Sequence, residues 1–283
     1  MANLLDIRRR IRSVKNTQQI TKAMKTVSAA KLRRAQDRMF AARPYADQLR
    51  TVLGNLSARV GDLSHPLLEV RPEARILVVV VTSDRGLCGA FNSNISRAAQ
   101  EFLKDNREKT AELMAVGRKG RDYFRLRGVT IVEEHIGIFA KLDFDHARTI
   151  GQRIVDLYSS EATDAVYLAY NEFKSVLQQR IVIERLLPLG GDALDVEDSQ
   201  VDYIYEQSPQ QIFNKLLPQY VDVQVHRALL ESVASEHGAR MTAMDTASRN
   251  AGEMIDTLTL NMNRIRQAAI TRELIEVVSG ASV

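Results

Sequence analysis

Ser83 to Asn92 reads SDRGLCGAFN, a glycine-bearing stretch directly behind the most aliphatic run of the chain. A loop in that position, between a strand and a helix, is where backbone N–H groups and a helix N-terminus would hold a phosphate. A dinucleotide fingerprint needs G-x-G-x-x-G, and a Walker loop needs G-x-x-x-x-G-K-[ST]. With Gly86 and Gly89, the segment completes neither pattern. The simpler reading makes both glycines turn and helix-entry residues, with Asp84 or Asn92 as the cap. Cys88 could act as a nucleophile only with a base in hydrogen-bond reach, and no histidine lies within twenty residues of it in sequence. His65, His135, His146, His226 and His237 have no H-x-x-x-H or H-E-x-x-H spacing, so they read as surface or seam residues rather than metal ligands. Glu133-Glu134 and the acids from Asp192 to Asp198 read as solvated loops rather than an acid/base pair. No catalytic group, metal site or cofactor site is expected.

The rest of the chain explains what such residues would be mounted on. Its 283 residues, 45% hydrophobic and 26% charged, are ordinary for one or two globular domains. No apolar run approaches the roughly eighteen residues of a spanning helix. A single cysteine excludes an intramolecular disulfide and any CxxC metal site, and fits a reducing compartment. Low glycine and proline, with no tryptophan, favour helix.

Three segments emerge. Leu4, Ile7, Ile11 and Val14 are spaced 3-4-3, followed by Ile20, Met24 and Val27, and then by Leu49, Val52 and Leu56. Only Pro44 interrupts, which predicts one helix over residues 1–60, bent near that proline. Leu230, Ala234, His237, Met241, Met244, Ser248, Ala251, Ile255, Leu258, Met262, Ile265 and Ala269 follow an unbroken 4-3 alternation. That is a coiled-coil seam in a second helix over 209–283. Helices of this length are rods of roughly 75 Å and 105 Å. Between them, in 61–208, short β-branched runs alternate with helical stretches: Arg75 to Thr82, Leu113 to Val116, Val129 to Val132, Ala165 to Ala169 and Ile181 to Leu187. Leu63 to Pro72 and Gly190 to Pro209 read as edge linkers. The expected fold is therefore α/β: a long antiparallel coiled coil of the N- and C-terminal helices, with an inserted Rossmann-like α/β domain. The seam's Ala, Ser and Met allow close packing with limited apolar burial.

Charge is unevenly placed. Met1 to Leu56 carries thirteen Lys or Arg against three acids, whereas Ser57 to Ser208 has nineteen against twenty-four. Arg8, Arg9, Arg10, Arg12, Lys15, Lys22, Lys25, Lys31, Arg33, Arg34 and Arg38 surround the first helix rather than forming one stripe. A solvated face, a phosphate-binding nucleic-acid surface and an acidic protein partner all fit this pattern. The lack of aromatics before Phe40 disfavours a nucleic-acid reader, and the all-round distribution favours a rod surrounded by partners. A basic, acid-poor N-terminus also fits a mitochondrial transit peptide.

Three separated segments carry a family resemblance: IRSVKNTQQITKAMKTVSAAKLRRAQ from Ile11, VTSDRGLCGAFN from Val81, and ASEHGARMTAMDTASRNAGEMIDTLTLNMNRIRQAAITRELIEVVSG from Ala234. Together they closely resemble the γ subunit of F-type ATP synthases, over about Leu4 to Gly280. The resemblance implies a non-catalytic central shaft, its paired helices inside a ring of α and β subunits and its α/β domain against the ε subunit and the c ring. Catalysis would belong to β, so no nucleotide, cofactor or nucleic acid is expected on this chain, and the membrane is reached only through partners. Matching positions make Met24, Arg85, Arg240, Arg266, Gln267 and Thr271 the expected contacts with the α/β ring, and Tyr203 and Tyr205 the expected contacts with ε and the c ring. Simpler readings remain for Met24 as a seam residue, Arg240 as a solvated heptad flank, and the tyrosines as domain-edge packing. The family pattern begins at the first few residues, so no cleaved leader is expected, and the setting is the cytoplasmic face of a bacterial plasma (inner) membrane. Chloroplast relatives add a regulatory cysteine pair, which a chain with only Cys88 lacks. The alternatives are a nucleotide-binding α/β enzyme and a basic coiled-coil nucleic-acid binder.

Overall fold

A computed structural model describes residues 4–59, 65–190 and 208–281. Helix α1 runs Leu4–Arg59 and helix α5 runs Pro209–Ala281. Both continue through a proline, Pro44 in α1 and Pro218 in α5, the second of which the seam pattern did not register. Each proline removes one intrahelical hydrogen bond, a loss that tertiary packing of the helix must offset.

The seam of α1 corrects the sequence reading. Ile20 and Val27 are 59% and 55% exposed, while Thr21 and Ser28 beside them are buried. The buried series continues through Leu32, Ala35, Met39, Ala46, Leu49, Leu53 and Leu56, all in one 3-4 phase that runs back through Ser28 and Thr21 to Ile7. Val14 and Ile20, six residues apart, lie in two different phases of the helix. Phase is set over the whole length by the facing helix, and small Thr and Ser side chains let the backbones approach where Ile and Val would hold them apart.

The chain divides into two compact units, one of Met1–Ala29 with Arg240–Val283 and the other of Ala30–Ala239. In the first unit, Gln18 Nε2 donates to the Ser248 carbonyl at 3.3 Å and Lys25 Nζ pairs with Asp245 Oδ1 at 2.6 Å. Rising numbers on one strand of these contacts meet falling numbers on the other, so the pair is antiparallel. Along α5, Ala234, Met244 and Ala251 of the expected seam are buried and Ile255, Leu258, Met262, Ile265 and Ala269 are half-buried.

The second unit holds a five-stranded sheet: β1 Arg75–Val81, β2 Thr110–Val116, β3 Ile131–His135, β4 Ala165–Phe173 and β5 Gln179–Leu187, in the order β3-β2-β1-β4-β5. The first four strands are parallel and β5 is antiparallel to β4, with Val79 opposite both Met114 and Leu168. Helices α2 Phe91–Asp105, α3 Arg118–Arg125 and α4 Phe144–Ser159 make the crossovers that parallel strands require. Six consecutive residues of β1, Ile76 to Val81, are buried, as expected of a central strand covered on both faces. Val78, Val80, Ile95, Leu113, Ala115 and Phe124 form the centre of one core. At the end of β1, Thr82 Oγ1 accepts from Gly120 N at 2.8 Å and lies 3.2 Å from the Val116 carbonyl. Gly117, at φ +98°, has no room for a Cβ, which would collide with the Thr82 carbonyl oxygen. Close approach of α3 to the strand ends therefore demands glycine there.

Candidate functional site

The loop Ser83 to Asn92 is tied down by its own side chains. Asn92 Oδ1 accepts from Ser83 N at 2.9 Å, Asn92 Nδ2 lies 2.8 Å from Ser83 Oγ and 3.2 Å from Cys88 Sγ, and Ser83 Oγ donates to the Arg85 carbonyl at 2.6 Å. Leu87 and Gly89 take left-handed backbone conformations to make the turn. Neither proposed cap serves α2, whose N-cap is Ala90 without a side-chain bond. Asn92 staples the loop instead, and Asp84 caps elsewhere, accepting from Arg118 N at 3.0 Å at the start of α3 and from Gly137 N at 3.1 Å. Sequence proximity favoured α2, but the crossover brings the start of α3 to the same strand end. Cys88 is buried under this loop. Arg85 is exposed on it.

Open α/β sheets bind ligands where strand order reverses, at the carboxyl ends of the strands, here between β1 and β4. Pairing of β1 to β4 stops at Val80 and Ala169, which leaves the last part of β4 without a strand on that side. Helix α5 fills the place. Ser232 Oγ accepts from Asn171 N at 3.3 Å, Ser235 Oγ donates to the Asn171 carbonyl at 3.1 Å, and Glu231 Oε2 accepts from Phe173 N at 2.9 Å. Glu231 is fully buried and its other oxygen accepts from Arg43 Nη2 at 2.8 Å. The crevice that would hold a nucleotide is thus occupied by the chain's own helix. Sequence reading missed these residues because one carboxylate in a helix is ordinarily solvated, and nothing in QVHRALLESVASEH marks Glu231 as the inward one.

The histidines of the sheet-bearing unit with a described partner hold the fold. His65 accepts from Leu67 N at 3.1 Å as a cap, and His146 completes a capping box with Asp143 at the start of α4. Burial lowers the pKa of the His135 and His226 rings below the usual imidazole range. At neutral pH His135 is therefore uncharged, and its 3.2 Å approach to Glu133 is not an ion pair. Glu133 and Glu134 stand on β3, not in a loop, and engage Arg153 at 2.8 Å and Arg121 at 3.6 Å. They line an open cleft of about 610 Å³ with Arg125, Val129 and Ile131, but as paired carboxylates they are no acid/base couple. The acids from 192 to 198 lie outside the described residues, as do Tyr203 and Tyr205, most of the second edge linker and the first two residues of the first. Among the described residues no His/Cys/Asp/Glu cluster is placed to hold a metal, and no helix is long and apolar enough to cross a membrane.

The terminal helices carry most of the residues singled out for partners. Met24 is half-buried. Arg266, Gln267 and Thr271 are exposed, flanking the half-buried Ile265 and Ala269 as the heptad requires, and Thr271 Oγ1 only bonds back to the Gln267 carbonyl at 2.9 Å. Arg240 is not a solvated flank: it is 8% exposed and engaged within the chain. Arg8, Arg9, Arg10, Arg12, Lys15 and Lys22 are exposed without an ion-pair partner among the described residues. Ile20, Val27, Leu260, Ile270, Leu274, Ile275, Val277 and Val278 add exposed apolar surface. Such a surface, cationic and apolar together, has the composition of one awaiting partners.

A family model described as ATP synthase matches residues 3–283. The ATP synthase gamma chain of Solibacter usitatus is 56% identical over 286 residues, spanning 100% of this chain and 99% of the relative. That of Pelotomaculum thermopropionicum is 48% identical over 284 residues, with 100% and 99% covered. Among solved structures, the central stalk and c-ring assembly of Tetrahymena thermophila mitochondrial ATP synthase contains a chain with TM-score 0.63 and 26% identity, covering 81% of this chain and 99% of that one. A rotor chain of the Euglena gracilis enzyme shares the fold, with TM-score 0.69 at 21% identity over 94% and 98% of the two chains.

Proposed function

The chain belongs to the ATP synthase γ-chain family, and from that premise we propose that it is the central rotary shaft of an F-type ATP synthase. The observation that carries this reading is identity of about half to gamma chains along the whole length, including both terminal helices. The shaft couples ion-driven rotation of the c ring to conformational cycling of the catalytic β subunits and is itself non-catalytic. Its partners are α and β, with one copy inside their ring, together with ε and the c ring. It sits on the cytoplasmic face of the bacterial plasma membrane and is held there by those partners. The three segments 1–60, 61–208 and 209–283 are its working parts.

An asymmetric shaft inside a ring of three β sites presents different contacts to each site. Each orientation shifts site populations by its differential contact free energy, and the coupling is reciprocal, so hydrolysis turns the shaft and turning it drives synthesis. Moving a site from one state to the other almost completely takes about 5.5 kcal/mol. Exposed ion pairs contribute at most about 1 kcal/mol each, so several must act together. Arg8, Arg9, Arg10, Arg12, Lys15 and Lys22, exposed on α1 without an ion-pair partner among the described residues, and the exposed Met24-flanking Ile20 and Val27 support such a distributed contact. Arg85, Arg240, Arg266, Gln267 and Thr271 are assigned to the same ring, and Tyr203 and Tyr205 to ε and the c ring. Arg240, being buried, acts through its neighbours on the helix surface.

The test is co-expression with matching α and β subunits, followed by isolation and an ATP hydrolysis assay with and without this chain. One copy per α and β hexamer, with no activity from the chain alone, is expected. A chain that stays free of α and β, or that hydrolyses ATP by itself, overturns the proposal.

A further inference from the structure

We propose that Glu231, with Arg43, Ser232 and Ser235, is the torque-bearing joint between the sheet and the two long helices. This rests on the shaft reading above and names the residues through which load passes. All four belong to the sheet-bearing unit. Glu231 is 0% exposed, and burying a carboxylate is costly unless it is paired and hydrogen-bonded. Here both oxygens are used, one by Nη2 and Nε of Arg43 on α1 at 2.8 and 3.3 Å, the other by Phe173 N on β4 at 2.9 Å. Arg43 is itself steadied over the Phe40 ring, 5.1 Å from its centroid. One side chain of α5 therefore bonds α1 and the sheet at once.

Ser232 and Ser235 extend the attachment along the same strand edge, each bonding the main chain of Asn171. Helix α5 stands in for the strand that β1 no longer supplies beyond Val80. Apolar contact is non-directional and tolerates sliding. Directional bonds to a strand backbone do not, and a turn of α5 against the sheet would leave one oxygen of the buried Glu231 and the Phe173 N–H without their partners. The cross-helix pair Lys25–Asp245 in the other unit is different in kind, with side chains 45% and 36% exposed. A shaft under torsion needs stiffness where the load enters it, and this cluster is built to give it.

The experiment uses the assembled complex with the hexamer fixed to a surface and a probe attached through Leu126→Cys, a position 85% exposed on the sheet-bearing unit. Angular variance of the probe is recorded while the rotor is stalled. Glu231→Gln leaves one acceptor oxygen for two sets of donors and makes the bond that remains a neutral one of roughly half the strength, so it is expected to raise the variance at least about twofold. Arg43→Lys, which keeps the charge, should fall between it and the parent. The pair Ser232→Ala with Ser235→Ala keeps the buried ion pair and is expected to raise the variance as well, which carries the test if Glu231→Gln does not assemble. Parental variance in the serine double variant, or in Glu231→Gln, overturns the joint. A parent complex whose probe does not turn with ATP refutes the shaft reading instead, so the two failures are told apart.

Discussion

The sheet-bearing unit and the terminal helix unit bury their surfaces by opposite rules. In Ala30–Ala239 the core is large and aliphatic, and the buried charge of Glu231 is matched on every side. In Met1–Ala29 with Arg240–Val283 the seam is narrow, with Thr21, Ser28, Met244 and Ala251 buried beside Ile7, while Ile20, Val27 and the aliphatic residues from Ile270 to Val278 face outward. Charge follows the same division: 27 Lys or Arg against 29 acids in the sheet unit, and 12 against 6 in the helix unit. The sheet unit carries a near balance of charge around a large core, whereas the helix unit leaves a cationic surplus and a run of outward aliphatic residues for partners to meet. That difference is what a shaft should have, fixed where it is driven and complementary where it acts.

Four measurements sharpen or break this contrast. The largest effect is expected in the sheet core, where Phe124→Ala should cost about 3–5 kcal/mol in urea unfolding of the full chain. A loss under about 1 kcal/mol would deny the core its tight packing. Next, Ser28 is 3% exposed in the seam, so Ser28→Leu should overpack it and cost about 1–3 kcal/mol, although a leucine adds apolar surface. A stabilising Ser28→Leu would mean that the helices do not approach closely there.

Third, Asp222 on α5 is buried against Gly151 of α4, which pushes its carboxyl from 3.8 to about 6, only partly opposed by Arg148. The folded chain then binds this proton more tightly than the unfolded one. Stability from this group is full below about pH 4 and is lost as pH rises through about 6, by on the order of 3 kcal/mol. Asp222→Asn should therefore be the more stable chain at pH 7.5 and lose that advantage below about pH 4, as read from urea midpoints across pH. An advantage that does not vary with pH would remove the titration as its cause. The smallest stability effect is expected on the outer face of the helix unit. Ile20→Gln, Arg266→Ala and Thr271→Ala should each stay within about 0.5 kcal/mol of the parent. Their consequence belongs in the complex, as reduced rotation torque and synthesis rate, and parental values in all three would end their assignment as contacts.

Legibility in the sequence differed between the two regions for physical reasons. The five strands and their crossover helices are readable because β-branched runs are local patterns; β2, β4 and β5 extend the expected runs by a few residues, β1 ends one residue earlier, and β3 is displaced by two to three residues. The exposure of Arg266, Gln267 and Thr271 followed from the same periodicity. Ile20 and Val27 face outward despite their apolar character, because helix phase is imposed by a partner segment some 220 residues away. Neither Asp84 nor Asn92 caps α2 as expected, because the partners of such side chains are chosen by where the crossovers return.

The sequence by itself determined the parts: two long helices, an alternating β/α segment between them, a basic N-terminal third and the family to which they belong. Those depend on residue type and spacing along the chain, which local geometry converts directly into helix, strand and charge. Only the tertiary structure decided that α5 fills the crevice beside β4, that Glu231 is the buried carboxylate there, and that Asp222 is held against α4. Burial and pairing are properties of what a residue meets across the fold, and a single position in a helix does not specify its neighbours.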